Sequence, residues 1–448
     1  MTLTADQQVV ADAVLKKLFE GKEQEIIISG PAGTGKSFLI NYITHNIIDK
    51  YAKVMKLTNT SPKFLHEEPL ITATTNKAVG VLASVMTGPV ATIESALNLI
   101  VKGDYSKGEY KLTPAPSGLN IITDSIVIID EASMIDKTLY GFIRQGCIGC
   151  FIIYIGDACQ LPAVREGNTP LVFSLGLPEY KLTSLVRQAD NEEIAELCNT
   201  MRKTVQTGQF KNIVTNKSIT QVNEEGDRKR LLIKFNYEDG KILTYTNKKA
   251  IQYNDWLMSE KHGTRNEANL YENELYVVNE FFKDSYYRFR ISAETTIKVT
   301  NILEPVTGSY NGATCEFQHI YAETHSGRHK LLVPTDKEYY FKWLKFIAKH
   351  KDWKTYFHWK ESVIDIRGNY ASTIHKAQGS TFNHVIIDAD DFKSCTNPAI
   401  AARLLYVAVS RAKHEITFFG SLPKKYGEII CQQPMCSRTV RNTPCLRE

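Results

Sequence analysis

The chain is 448 residues long, 43% hydrophobic and 23% charged, with a formal net charge of +5. That length outgrows one ordinary core, so two or more domains are expected, and the composition excludes a disordered or low-complexity chain. No apolar run reaches a membrane span, the start "MTLTADQQVV" has no signal-peptide pattern, and nine scattered cysteines make no disulfide framework. A soluble, cytoplasmic protein with no membrane partner is expected.

The first informative run in chain order is "EIIISGPAGTGKSFLINYI", residues 25–43. An apolar strand breaks into glycines, and an apolar pattern with helical spacing follows. The break fits G-x-x-x-x-G-K-[ST] at Gly30, Gly35, Lys36 and Ser37. Such glycines let backbone N–H groups converge on phosphate oxygens, and the following helix adds its positive end. Residues Gly30, Pro31, Ala32, Gly33, Thr34, Gly35, Lys36, Ser37 and Phe38 are thus the candidate ATP cradle. Lys36 would reach the β- and γ-phosphates, and Ser37 would ligate Mg²⁺.

Residues 101–120, "VKGDYSKGEYKLTPAPSGLN", are rich in turn formers and read as a small inserted hairpin or loop. The strand in "DSIVIIDEASM", residues 124–134, ends in adjacent acids. Alone, the pair could be a solvated turn. Behind a phosphate cradle, Asp130 suits the Mg²⁺ shell and Glu131 suits polarising an attacking water, which favours hydrolysis over transfer to a metabolite. A third strand, in "CFIIYIGDACQLPAV", leads to Gly156, Asp157 and Gln160. A neutral amide there can sense a γ-phosphate; a polar turn capped by Pro162 is the plainer alternative. Cys147 and Cys150 form one C-x-x-C without a second pair, and packing beside a strand is expected of them.

Farther on, "LYVVNEFF", "TIKVTNI" and "CEFQHIYAET" alternate like the strands of a small β-rich insertion. Residues 337–360 then carry seven lysines against Glu338 and Asp352, with three of the four tryptophans. That is a nucleic-acid cue, but an amphipathic helix burying Tyr340, Leu344 and Ile347 accounts for it equally simply.

The blocks "LTADQQ", "GPAGTGKS", "ATTNKA", "IIDEASM", "GDACQLP", "LVRQ", "TYTNK", "STIHKAQGSTF" and "LLYVAVSRAK" occur in the order of superfamily 1 helicase motifs. From about residue 3 to 420 the chain resembles the RecD/Dda (1B) group of that superfamily. The resemblance implies an α/β fold of two RecA-like P-loop motor domains, each a parallel sheet flanked by helices. It places the first at residues 1–178, with the hairpin insert at about 100–120. The second falls at 179–265 and 366–430, around a β-rich, SH3-like and basic-aromatic insertion at 266–365. A tail at 431–448 lies outside the resemblance.

It also implies roles. Gln7 matches the glutamine that reads adenine, and Gln160 the γ-phosphate sensor that couples hydrolysis to domain movement. Arg187 and Arg411 match the arginines that reach across the cleft, where a permanently charged fork suits transition-state charge. Thr75 and Asn76, Thr246 and Asn247, and Thr373, His375 and Gln378 match positions that hold the DNA backbone without reading sequence. Tyr105 or Tyr110 would stack at a strand-separating wedge; solvated loop tyrosines are the alternative. Relatives commonly read T-I-H where this chain has "ATIESAL" with Glu94, a carboxylate that would repel a phosphate.

The implied function is an ATP- and Mg²⁺-dependent DNA helicase moving 5′→3′ on single-stranded DNA and opening duplex or fork DNA. It would act as a monomer in replication, recombination or repair, alongside single-strand-binding or replication proteins. An ATPase that remodels or loads nucleoprotein complexes, and an RNA helicase, remain the alternatives. A metabolic P-loop kinase would lack the last two blocks.

Overall fold

Runs of β-branched residues build two parallel sheets, each buried on both faces. The computed structural model describes residues 3–22, 24–64, 68–104, 109–163, 167–184, 191–263, 268, 270–284, 289–324 and 327–431. Strand order across the first sheet is Glu179–Lys181, Gln24–Ser29, Phe151–Gly156, Ile126–Asp130, Leu70–Ala73, Val90–Thr92, with every pair parallel. The second sheet runs Ile219–Val222, Ala412–Phe419, Phe382–Asp388, Gly240–Thr244, Ala371–Thr373, again all parallel.

Side chains alternate across a strand, so one sheet feeds two cores. In the first, Ile26, Ile28, Ile128, Ile153 and Ile155 enter one core while Ile27, Val127, Ile129, Ile152 and Tyr154 enter the other. In the second, Leu243, Val385, Ile387, Ile416 and Phe418 face one side and Ile242, Ile386 and Phe419 the opposite one. Continuous apolar strands with helices on both faces are the expected solution for a parallel sheet. No helix among the described residues is long and apolar enough to cross a membrane.

The helix after the cradle is less regular than its sequence pattern suggests. An α-helix Lys36–Tyr42 passes through a π-helical segment, Ile43–Ile48, before continuing as Asp49–Leu57. Thr44 Oγ1 donates back to Ile40 O at 2.9 Å inside this stretch, a bond of the kind that disturbs a helix ladder.

Two further pieces attach to the sheets. Strands Leu99–Asp104 and Glu109–Pro114 pair antiparallel beside the first sheet. A five-stranded antiparallel sheet runs Gly327–Pro334, Ala313–Thr324, Thr296–Tyr310, Leu275–Val278, Ile366–Gly368. The basic-aromatic stretch folds over it as two helices, Lys337–Lys349 and Trp353–Ser362, each started by an aspartate cap, Asp336 and Asp352. Tyr340, Trp343, Leu344 and Ile347 are buried, and Trp359 stacks on Phe317 with ring centres 5.0 Å apart. These aromatics thus serve the core, whereas Tyr339 and Phe341 are exposed beside Lys342 and Lys345.

The antiparallel pair at 99–114 does not stand alone. Tyr110 sets its ring edge-on to Phe357 at 5.4 Å, and Lys360 Nζ lies 4.5 Å from the Tyr110 ring centre. A Cβ at Gly103 would sit 2.7 Å from the Phe357 ring. Glycine there permits the close approach that joins this pair to the helix Trp353–Ser362.

Candidate functional site

The carboxyl ends of the first sheet's strands carry the chemistry. Gln24–Ser29 runs into the cradle, where Gly33 and Gly35 have φ of 87° and 73°, a region open to glycine without strain. At Gly30 a Cβ would lie 2.8 Å from Thr34 Oγ1 and 2.9 Å from Leu182 Cβ, so only glycine fits. Lys36 opens the following helix and turns its ammonium back onto Gly30 O and Pro31 O, each at 2.9 Å. The loop's own carbonyls thus hold the charge that a phosphate would otherwise receive. Ser37 and Phe38 are half-buried beside it.

Gln7 is pinned against this loop. Thr4 caps the helix Ala5–Glu20, and Gln7 Oε1 accepts the Thr4 N–H at 3.1 Å in a capping box. Its amide Nε2 donates to Thr34 O at 2.9 Å, so both ends of the side chain are engaged in this state.

Ile126–Asp130 delivers the paired acids. Asp130 is buried and accepts the Glu131 N–H at 2.8 Å. Burial and the adjacent Glu131 charge push its carboxyl up to about 7, against the opposing pull of Lys36. Glu131 adopts φ 53°, an uncommon left-handed conformation for a residue with a side chain. The desolvated Asp130 carboxyl, with the Ser37 hydroxyl and phosphate oxygens, makes a hard-oxygen donor set that fits a divalent cation, and Glu131 is left beside it for the water.

Phe151–Gly156 leads to the third loop, and here the second sheet's helices arrive. Gln160 is 3% exposed, and Gln378 Nε2 donates to its Oε1 at 3.4 Å. Arg403 Nη1 donates to Ala158 O and Gln160 O at 2.5 and 2.7 Å. Asp157, wholly buried, is bonded by Arg202 and Tyr406. Arg411 follows the helix Pro398–Val409 and donates to Val407 O, Ser380 O and Ser410 Oγ. Burial lowers its pKa, with the Glu131 charge opposing the shift. Glu131 faces the same wall, since a Cβ at Gly379 would lie 4.0 Å from its Oε1. Lys36, Asp130, Glu131, Gln160, Gln378 and Arg411 therefore converge on one cleft between the two sheets.

The positions expected to hold a strand form a matched pair. Thr75 caps the helix Asn76–Ala83 and Thr246 caps Asn247–His262, each hydroxyl accepting an N–H three residues on. Both threonines are half-buried and both asparagines exposed, at equivalent strand ends of the two sheets. They differ in one respect: Thr246 also gives its N–H and hydroxyl to Asp391, at 2.7 and 2.9 Å. Thr373 is buried next to this unit, its strand paired with Gly240–Thr244 in Thr244–Thr373 register. His375 is half-buried, and burial lowers its pKa, favouring the neutral ring.

Glu94 is the second residue of a short helix, Ile93–Ala96, and burial pushes its carboxyl up to about 6. Cys147 and Cys150 are buried thiols, and Cys150 Sγ donates to Ile122 O at 3.4 Å, in keeping with packing beside a strand. Arg187 and Tyr105 lie outside the described residues.

Arg202, Arg403, Tyr406 and Asp391 were missed at the level of sequence. Arg403 and Tyr406 carried a usable signal: two polar side chains one turn apart in "AARLLYVAV", a helix otherwise apolar all round. Arg202 sits in a mixed amphipathic helix, where one arginine attracts no notice.

Two family models match. The AAA domain model covers residues 2–224, and the UvrD-like helicase C-terminal domain model covers 368–418. Among similar proteins, the uncharacterized protein R530 of Acanthamoeba polyphaga mimivirus is 22% identical, over 92% of this chain and 98% of its own. The ATP-dependent DNA helicase dda of Enterobacteria phage T4 is 20% identical, over 93% and 99%. A Pif1 helicase from Bacteroides, solved with ADP-AlF3 and single-stranded DNA, aligns over 96% of this chain and 95% of its own at 18% identity, with a TM-score of 0.49. The AAA model spans the first sheet and runs on through Glu192–Thr207 and Ile219–Val222 of the second half, and the UvrD-like model falls within the second half alone. Their order is that of the motifs read from the sequence, and the chain is similar to the superfamily 1B helicases of the Dda/Pif1-like group.

Proposed function

We propose that this chain is an ATP-dependent DNA helicase that moves 5′→3′ on single-stranded DNA and separates duplex at a fork. The observation that carries the reading is the two-sided cleft. Gln378 of the second sheet's loop meets Gln160 of the first, and Glu131 faces Gly379 beside Arg411. A kinase needs one such wall; a motor needs two that can close and reopen. The full-length likeness to dda supports DNA as the substrate.

In this reading Lys36 exchanges the Gly30 and Pro31 carbonyls for β- and γ-phosphate oxygens. Ser37 and Asp130 would hold Mg²⁺, which would neutralise phosphate charge. Glu131 takes a proton from the attacking water, while Arg411, with Arg187, stabilises charge on the transferring group. Gln7 trades its bond to Thr34 for the adenine edge. One motor half takes the chain up to about residue 184, not 178, since Glu179–Lys181 pairs with Gln24–Ser29 of the first sheet. Residues 191–265 with about 371–430 form the other, since Ile366–Gly368 pairs within the antiparallel insertion. Closure on ATP and release after hydrolysis alternate the grip of Thr75–Asn76 and Thr246–Asn247 on the strand. The hairpin around Tyr110, braced against Phe357, is the wedge.

The test is ATP hydrolysis with and without single-stranded DNA or RNA, beside Lys36→Ala, followed by forks with either 5′ or 3′ tails. DNA-stimulated turnover that Lys36→Ala abolishes, with unwinding of 5′-tailed forks, is expected. Turnover indifferent to nucleic acid would refute the helicase reading, and unwinding of 3′-tailed forks alone would refute the polarity.

A further inference from the structure

The loop that carries Gln160 grows from a central strand of the first sheet, yet the second half holds it. Asp157 opens the loop and is 0% exposed. A carboxylate taken out of water needs close donors, and this one has three. Arg202 Nη1 reaches Oδ1 at 2.8 Å, the Cys159 N–H reaches the same oxygen at 3.0 Å, and the Tyr406 hydroxyl reaches Oδ2 at 2.5 Å. Arg202 also donates to the Tyr406 hydroxyl at 3.2 Å, which closes a three-membered network. Two of the three donors to Asp157 come from second-half helices, Glu192–Thr207 and Pro398–Val409. Arg403, from the latter helix, takes the Ala158 and Gln160 carbonyls. Pro31 and Ala32 of the cradle line one small cavity with Arg202, Tyr406 and Ser410, so the network also abuts the phosphate loop.

We propose that Arg202 is a positioning residue for ATP hydrolysis: with Tyr406 it fastens Asp157, and through it Gln160, to the second motor half. A permanently charged donor suits this role because its Nη1, with two hydrogens, binds Asp157 and orients Tyr406 together. When the halves shift, the loop moves with the helices that hold it, and Gln160 meets or leaves the γ-phosphate accordingly. The inference rests on the motor reading above and adds to it a residue outside the motif set.

The experiment uses the full chain and compares wild type, R202M, R202K, D157N and the R202M/D157N double variant. It measures kcat and KM for ATP at saturating single-stranded DNA, with thermal melts as a folding control. R202M should lower kcat about 10- to 100-fold, as expected when a reacting constellation is misplaced, with KM held within about threefold. R202K should recover part of the loss, and in the D157N background R202M should cost less than about threefold more, since the two act as one unit. An unchanged kcat in R202M, a loss confined to KM, or losses that multiply in the double variant would overturn the proposal. If R202M fails to fold, Y406F, which deletes one hydroxyl of the same network, is judged by the same criteria. Wild type without DNA-stimulated turnover overturns this proposal together with the motor reading. Stimulated wild type with an unimpaired R202M overturns this proposal alone.

Discussion

Replacing Asp130 by asparagine should stabilise the nucleotide-free protein while removing its hydrolysis. The carboxyl stands at about 7 in the fold against an ordinary 3.8. Its pKa is raised, so the folded state holds a proton the unfolded chain has already lost, and stability falls as pH rises from about 4 through about 7. At about 1.4 kcal/mol per unit, the ionised carboxylate costs the empty cleft roughly 4 kcal/mol at pH 8 and under 2 kcal/mol at pH 5. The amide introduced by D130N keeps an oxygen for the Glu131 N–H and never ionises. The variant's advantage over wild type should therefore grow by about 2 kcal/mol between pH 5 and pH 8, roughly 5 °C in the melting temperature of a half this size. The assay is thermal unfolding of both proteins at the two pH values, without nucleotide and with Mg²⁺ and ADP. Mg²⁺–ADP should raise wild type more than D130N, because the cradle still binds the diphosphate in the variant but the cation no longer has a buried charge to repay. Equal shifts at both pH values, or a destabilised D130N at pH 8, would refute the reasoning.

Three further outcomes follow from particular contacts. Glu94 is raised to about 6 by burial, so it ionises through pH 6 and then opposes a nearby phosphate. Single-stranded DNA affinity should weaken about threefold to fivefold above that pH and flatten in E94Q, read by fluorescence anisotropy; an unchanged profile would take the side chain off the strand's path. Gly420 has φ +74°, and a Cβ there would lie 1.8 Å from Asp390 Oδ2, whose carboxylate bonds Arg228 and Lys393. G420A should cost more than about 2 kcal/mol in denaturation, whereas G21A, at a similar φ with nothing within 4 Å, should cost about 1 kcal/mol. Phe357→Leu removes the ring against which Gly103 and Tyr110 pack, and it should lower unwinding several-fold while DNA-stimulated ATPase stays within about twofold. A parallel fall in both rates would mean the brace serves the motor and not strand separation.

Local chemistry was legible in the chain from the start. A strand, a glycine turn and a lysine at the head of a helix lie within about a dozen residues, and only the run Gln24–Tyr42 is needed to form them. The same holds for Asp130 and Glu131 at a strand end, and for Thr75 and Thr246, where a threonine before a helical pattern is already a cap. Each depends on neighbours in sequence, so spacing alone reveals it. The basic-aromatic segment shows the limit of composition. Seven lysines and three tryptophans allowed either a nucleic-acid surface or an amphipathic helix burying Tyr340, Leu344 and Ile347; the helix is what formed, and packing added Trp343 and Trp359 to a core with Phe317.

What tertiary structure alone decided are the contacts between elements far apart in the chain. Asp157 finds Arg202 and, across 249 positions, Tyr406. Thr246 gives its hydroxyl to Asp391, while Thr75 on the other sheet bonds no such carboxylate among the described residues. The hairpin at 99–114 meets Phe357 and Lys360 from the far side of a domain's worth of sequence. No periodicity encodes such pairings. They arise when two sheets are brought edge to cleft, and a buried charge such as Asp157 takes whichever donors that packing supplies. The motifs could therefore be read one by one, but the side chains that couple one half to the other became visible only once both halves were folded together.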